Sequence, residues 1–287
     1  MSDGFCTRLS LEAPTEGEHC EPDCDHRRGP AGYEAALVAA QLDADVTVVE
    51  TDGAGGACVL HDCVPSKTFI ASSEVVTGYR DTEEFGVHSD GLEAVTVDAP
   101  TVYGRVKRLA LAQSADIQAK LIKAGVTFVS GRARLGEDTL GHTHRVLVTP
   151  SDGDSTYSMD ASTVLVATGA TPRVLPSAVP DGERILDWRQ VYDLPDLPER
   201  LIVIGSGVTG AEFASAYLAM GVAVTLVSSR DRVMPHEDPD AAMAIEQVFR
   251  SRGWRSSTTA GPTRCAGSAT ASRWTSPTAG RCTARTR

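Results

Sequence analysis

The chain has 287 residues, 41% of them hydrophobic and 23% charged, with a formal net charge of -11. That composition is globular and long enough for two domains. No apolar run approaches the ~18 residues of a membrane span and no charged-then-apolar leader opens the chain, so a soluble, cytoplasmic protein without membrane contact is expected; the acidic balance argues against nucleic acid, whose phosphates draw on Lys and Arg.

The charge is unevenly spread. Residues 251–287 hold seven Arg, no Lys, no Asp or Glu, and no Val, Leu, Ile, Met, Phe or Tyr, whereas residues 1–250 carry 20 basic and 38 acidic side chains. With Trp254 and Trp274 as its sizeable apolar groups, this basic tail is expected to be disordered, because it buries too little surface to offset its ordering entropy.

Residues 1–28 are acidic and without periodicity. From Gly29 the pattern changes: a glycine turn opens an Ala-rich helical run over 33–42, followed by the β-branched run 46–49 ending in Glu50. A Gly-rich loop at 53–56 leads to Cys58 and Cys63 and a second helix over 66–79. The spacing of Val106, Leu109, Ala110, Ile117 and Leu121 predicts a long helix over 101–124, stopped by Gly125. Short strands follow at 126–129 and 146–149, with a buried-type run at 164–166. Residues 201–227 repeat the opening unit as strand, glycine turn, helix and strand, about 175 residues further on. The fold expected is therefore α/β, with two Rossmann-like units in series.

The second turn, Gly205-Ser206-Gly207-Val208-Thr209-Gly210, is a complete G-x-G-x-x-G between strand and helix. Its glycines allow the tight turn, the approach of backbone to a pyrophosphate and close packing of helix on sheet, with the phosphates at a helix N-terminus. Ser228 ends the next strand, where an acidic residue would hold a ribose 2′-OH; with Arg230 nearby, a 2′-phosphate is poorly excluded, so NAD and NADP both remain open. The first turn keeps only Gly29 and Gly32, and residues 21–26 cannot pass for a hydrophobic strand, yet Glu50 lies 21 positions after Gly29, where a ribose ligand belongs. The first unit is thus expected to lack its first strand and the second to be incomplete.

Gly55-Gly56-Ala57-Cys58-Val59-Leu60-His61-Asp62-Cys63-Val64-Pro65-Ser66-Lys67 places two cysteines five positions apart at the mouth of a helix. Such a pair can close a small disulfide, and a helix N-terminus favours the thiolate. A metal site would need two more ligands at suitable spacing, and none is expected. His142 and His144 read as solvated surface.

With these residues in view the chain resembles the flavoprotein disulfide reductases, the group of lipoamide dehydrogenase, glutathione reductase and mercuric reductase. The resemblance rests on the cysteine stretch at 55–67, on Ala-Thr-Gly-Ala-x-Pro-Arg at 167–173 and on the glycine motif at 205–210, and it covers about residues 29–250. Details at 66–70 and 111–116 look most like an actinobacterial branch of dihydrolipoamide dehydrogenase-like and NAD(P)H-quinone reductase-like proteins. The resemblance implies an FAD-binding domain over 29–172 and an NAD(P)-binding domain over 173–250, flanked by the leader 1–28 and the tail 251–287. It implies FAD contacts at Gly29, Gly32, Glu50, Gly56, Lys67, Ala133, Ala167, Thr168 and Gly169, and NAD or NADP contacts at Gly205, Gly207, Gly210, Ser228 and Arg230. It further implies Cys63 as the flavin-proximal thiol, Cys58 as the interchange thiol, and a buried Lys67 paired with Glu212. The substrate it implies is a small disulfide, such as lipoamide, or a quinone.

The family also has a second flavin segment, a dimerisation domain and a His-Glu pair from the partner subunit, none of which the chain contains, although homodimers are the family's assembly. With synonymous codons chosen to fit, reading one base later turns residues 24–28 into Ala-Ile-Ile-Gly-Gly and residues 272–279 into an alternating strand and turn, so frame changes near residues 28 and 253 are the hypothesis for the loss of pattern at both ends. The competing reading is a catalytically inactive dinucleotide-binding remnant.

Overall fold

A computed structural model describes residues 6–9, 29–82, 86, 95–137, 143–230 and 232–258. The chain divides into two units, residues 1–65 with 107–172 and residues 66–106 with 173–287.

The first unit is built on a six-stranded sheet. Its strands are β1 (Cys6–Leu9), β2 (Asp45–Glu50), β3 (Thr127–Leu135), β4 (His144–Pro150), β5 (Tyr157–Ala161) and β6 (Thr163–Leu165), in the order β5-β4-β3-β2-β1-β6. β1, β2, β3 and β6 pair in parallel, while β4 and β5 form an antiparallel extension. Helix α1 (Pro30–Gln41) begins at the extended Gly29 with Pro30 in its first turn, where a missing N–H costs nothing. The short α2 (Gly56–Leu60) and the longer α3 (Cys63–Arg80) follow, and then α4 (Ala99–Lys123). The stop at Gly125 is as expected: its N–H donates to Ile122 O, and Val126 N donates to Leu121 O.

β2 is buried along all but its first residue, as a central parallel strand must be. Val46 and Val48 join Ala36, Val59, Ile117 and Leu121 in one cluster, and Val49 joins Ala133, Val146 and Val148 in another. Each such valine contributes about 1.5–3 kcal/mol.

Two sequence expectations change here. The slot for a first strand, between β2 and β6, is not vacant: Cys6–Leu9 fills it, parallel to both neighbours. Ladder hydrogen bonds come from the backbone, so a four-residue segment without hydrophobic patterning can take a central position. Residues 21–26, where the absence of a strand was read, lie outside the described residues. The run at 164–166 is not buried, with Leu165 37% and Val166 54% exposed, because β6 is the edge of its sheet. β5 had no clear signal in the sequence. His144 opens β4 exposed; His142 lies outside the described residues.

The second unit carries a three-stranded parallel sheet, β7 (Arg200–Ile204), β8 (Ala223–Ser228) and β9 (Arg255–Thr258), in the order β7-β8-β9. Helix α5 (Val208–Ala219) connects the first two strands and α6 (Pro239–Ser251) the last two. Asp238 caps α6 by accepting from Asp240 N and Ala241 N. The core centres on Phe69, whose ring lies 5.0 Å from Tyr217, 5.7 Å from Tyr192 and 6.0 Å from Tyr103. Tyr217 donates to Val191 O and shares a 3.1 Å hydrogen bond with Tyr103.

The tail expectation also fails at its start. Trp254 is buried, edge-on to Phe249 at 5.5 Å, and Arg255–Thr258 form the third strand. Averaged over 37 residues the tail is poor in apolar groups, but backbone pairing to β8 and one docked indole suffice to hold its first eight; residues 259–287 lie outside the described residues.

Candidate functional site

The cysteine turn belongs to the first unit. Gly55 caps α2 in the left-handed conformation with φ +94°, and a Cβ there would meet Val59 at 2.4 Å, so only glycine fits. Past Cys58 the chain reverses: His61 N and Asp62 N both donate to Ala57 O, at 2.9 and 2.8 Å. This tight turn brings Cys63, at the start of α3, into hydrogen-bond contact with Cys58, both as free thiols. Burial pushes the Cys58 thiol up to about 11, helped by the hydrogen bond to Cys63 and by the negative charges of Cys63 and Asp62. At Cys58, then, burial and the neighbouring charges oppose the thiolate-favouring effect expected of a helix mouth.

Around the first glycine turn, a Cβ on Gly29 would meet nothing within 4 Å, and one on Gly32 would touch Ala167 Cβ at 3.6 Å. Glu50, at the end of β2, is buried, with Oε1 accepting from Thr51 N at 2.8 Å and Asp52 N at 3.2 Å. Gly56 is buried in the first turn of α2. Ala133 sits with its side chain in the core beside Val49, and Ala167, Thr168 and Gly169 follow the end of β6 outside any strand. The open face over Gly29 and the fixed carboxylate of Glu50 fit the ribose-diphosphate end of a dinucleotide such as FAD.

The second glycine turn is the tighter of the two. Gly205 has φ +113°, and a Cβ on Gly210 would lie 2.0 Å from Gly205 O, so helix and strand meet at a distance no side chain permits. Above Gly207 there is open space, as a pyrophosphate requires. Ser228 is buried rather than presented outward: its Oγ is 2.6 Å from Ser206 Oγ and accepts from Arg230 N. Ser206 O accepts from Met234 N, which bolts the turn to the loop after β8. Arg230 is exposed. The sequence reading passed over Ser206; the adjacent strand ends at 206 and 228 were the available signal.

Also in the second unit, Lys67 Nζ pairs with Glu212 on α5. The pairing agrees with expectation but the burial does not: the Lys67 side chain is 61% exposed and that of Glu212 20%. An ion pair so exposed contributes at most about 1 kcal/mol. Among the described residues no cluster of three or more His, Cys, Asp and Glu could hold a metal, and no helix is long and apolar enough to cross a membrane.

The profile of the pyridine nucleotide-disulphide oxidoreductases matches residues 28–281, further than the sequence resemblance reached. The chain is 55% identical over 231 residues to a NAD(P)H dehydrogenase (quinone) of Mycobacterium tuberculosis, covering 79% of this chain and 46% of that protein. It is 37% identical over 221 residues to a dihydrolipoyl dehydrogenase of Chlorobaculum parvum, covering 77% and 45%. The crystal structure of LpdA from Mycobacterium tuberculosis superimposes with a TM-score of 0.82 at 46% identity, over 96% of this chain and 56% of that one. A flavoprotein disulfide reductase, RclA from Escherichia coli, shares the fold with a TM-score of 0.70 at 20% identity. This chain spans about half the length of the curated relatives it matches. FAD and NAD(P)H, the cofactors implied by the sequence, are those this family uses. On its glycine turns, its cysteine pair and these matches, the chain belongs to the pyridine nucleotide-disulphide oxidoreductases.

Proposed function

We propose that this chain is the nucleotide-handling portion of a cytoplasmic, FAD-dependent NAD(P)H oxidoreductase whose acceptor is a small disulfide or a quinone. The observation that carries the reading is the cysteine turn: two free thiols in hydrogen-bond contact, held by a left-handed glycine and a closed turn, form a dithiol ready to become a disulfide. Gly29, Gly32, Glu50, Gly56, the backbone of Ala133 and residues 167–169 would hold FAD, which supplies the transfer of an electron pair from NAD(P)H to the acceptor. Gly205, Gly207 and Gly210 would seat the NAD(P)H pyrophosphate at the start of α5. With Ser228 turned inward and Arg230 exposed, the position at the end of β8 carries a hydroxyl rather than a carboxylate, which favours use of both coenzymes.

For disulfide reduction, two electrons and one proton entering the Cys58–Cys63 bond leave one thiol and one thiolate. Cys58, the thiol with the raised affinity for its proton, would keep it at Sγ. Glu212 would balance the Lys67 ammonium.

The purified chain is expected to bind FAD, show a yellow flavin spectrum and bleach with NADH or NADPH. A colourless protein that takes up no added FAD overturns the reading. Cys63→Ser then separates the acceptors: it abolishes disulfide reduction and leaves quinone reduction in place. The inactive-remnant reading draws on β7, an edge strand with Ile202 44% and Ile204 38% exposed; it is favoured if FAD binds but neither acceptor is turned over. The homodimer of the family is a further proposal, checked by light scattering.

A further inference from the structure

Two serine hydroxyls of the second unit form a directed chain. Ser206 stands in the glycine turn after β7 and Ser228 ends β8; each is 5% exposed, and their Oγ atoms lie 2.6 Å apart. Ser206 Oγ is also 3.3 Å from Arg232 O, and Ser228 Oγ is 2.9 Å from Arg230 N. Each hydroxyl has a single proton to give. If Ser206 gave its proton to Ser228, the Arg232 carbonyl would face a bare oxygen. Ser228, already accepting from Arg230 N, would then have no acceptor among the described residues for its own proton. The reverse direction satisfies every group: Arg230 N donates to Ser228, Ser228 to Ser206, and Ser206 to Arg232 O. The turn is tied to the same loop a second time, where Ser206 O accepts from Met234 N at 2.6 Å. Met234 has φ +46°, a left-handed conformation that a long side chain keeps only where its surroundings hold it.

A dinucleotide fold of this kind holds the adenosine ribose 2′-OH with a side chain at the end of its second strand. Here that side chain is Ser228, whose proton is already committed and whose oxygen is buried. We infer that Ser206 is a positioning residue for coenzyme selection: by taking the Ser228 proton it holds that hydroxyl off the ribose, so the strand end makes no bond to a 2′-hydroxyl. NADH then gains nothing at this point over a coenzyme without that hydroxyl. The inference rests on the NAD(P)H reading above and deepens it.

The test titrates the whole chain with ADP and with 2′-deoxy-ADP, probes that differ by that hydroxyl alone. Binding is followed by NMR at the Gly205 and Gly207 amides, so that only the second glycine turn is scored. The wild type is expected to bind the two probes with dissociation constants within about twofold of each other; a larger preference for ADP overturns the inference. Ser206→Ala leaves the Ser228 proton without its acceptor, and ADP is expected to bind about fivefold more tightly than 2′-deoxy-ADP, the effect of one hydrogen bond. A general loosening of the turn would weaken both probes alike and leave their ratio unmoved. A folded Ser206→Ala protein whose ratio is no larger than that of the wild type therefore overturns the inference. The double variant Ser206→Ala/Ser228→Ala is expected to lose the preference again, and a preference that persists there also overturns it, because another group then reads the hydroxyl. If Ser206→Ala does not fold, the wild-type ratio decides. Glycine amides that respond to neither probe overturn the NAD(P)H reading itself, and this inference with it; binding without the expected pattern overturns the inference alone.

Discussion

The two glycine turns of this chain share a sequence logic and differ in packing. In the second unit the third glycine, Gly210, lies so close to the strand that an added Cβ would sit 2.0 Å from Gly205 O; its counterpart in the first unit, Gly32, would only touch Ala167 Cβ at 3.6 Å. The strand ends differ as well. Glu50 closes β2 with a buried carboxylate held by the next two N–H groups, whereas Ser228 closes β8 with a hydroxyl spent on Ser206 and on Arg230 N. A glycine motif therefore fixes a local shape only where strand, turn and helix are contiguous in the chain. In the first unit the sheet position before the turn is filled by Cys6–Leu9, and the close approach that demands the third glycine is relaxed.

That contrast can be broken most directly at the third glycines. Gly210→Ala forces a Cβ into a backbone carbonyl and is expected to cost about 3 kcal/mol. Gly32→Ala has room and gains helix propensity, so it is expected to stabilise by about 0.5–1 kcal/mol. Urea unfolding of the two variants checks both signs; equal losses would mean the two turns are equivalent. Next come the strand ends. Glu50→Ala strips the acceptor from Thr51 N and Asp52 N and is expected to cost about 2 kcal/mol, measured as a fall in the urea midpoint and relieved in Glu50→Gln. Ser228→Ala removes the hydroxyl that meets Ser206 Oγ and accepts from Arg230 N, at about 1 kcal/mol, and faster amide exchange at Arg230, with Met234 unchanged, would locate the loss.

The smallest effect separates the units by pH. Burial first, then Cys63 and Asp62, raise the folded-state affinity of Cys58 for its proton from the ordinary 9.0 to about 11. A raised value means stability fully present below pH 9 and lost as pH rises from there toward 11. Because Cys58 is only partly buried the loss is small, and a Cys58→Ser variant is expected to show a flatter decline of melting temperature over that window.

Much of the site was readable from the chain because its chemistry is local. The glycine spacing at 205–210, the cysteines five apart and Glu50 at a strand end depend on neighbours within a few residues, and the structure sets each on the element its pattern implied. The Lys67–Glu212 pairing came from the family resemblance and spans 145 residues; its high exposure could not be read from any motif. Ser206 escaped notice because serine is not diagnostic by itself, and its contacts arise from two segments of the second unit brought side by side.

By itself the sequence determined the α/β alternation, the two glycine turns and the closely spaced cysteine pair, since hydrophobic period, glycine and short spacing act at short range. Tertiary structure alone decided which segment fills the slot between β2 and β6, which segment adds the third strand of the second sheet, and which sulfur is shielded. Strand pairing uses backbone groups that every residue carries, so neither Cys6–Leu9 nor Arg255–Thr258 advertised itself. Burial is set by what packs from a distance, as at Trp254 against Phe249, and that is invisible in a run of residues read one after another.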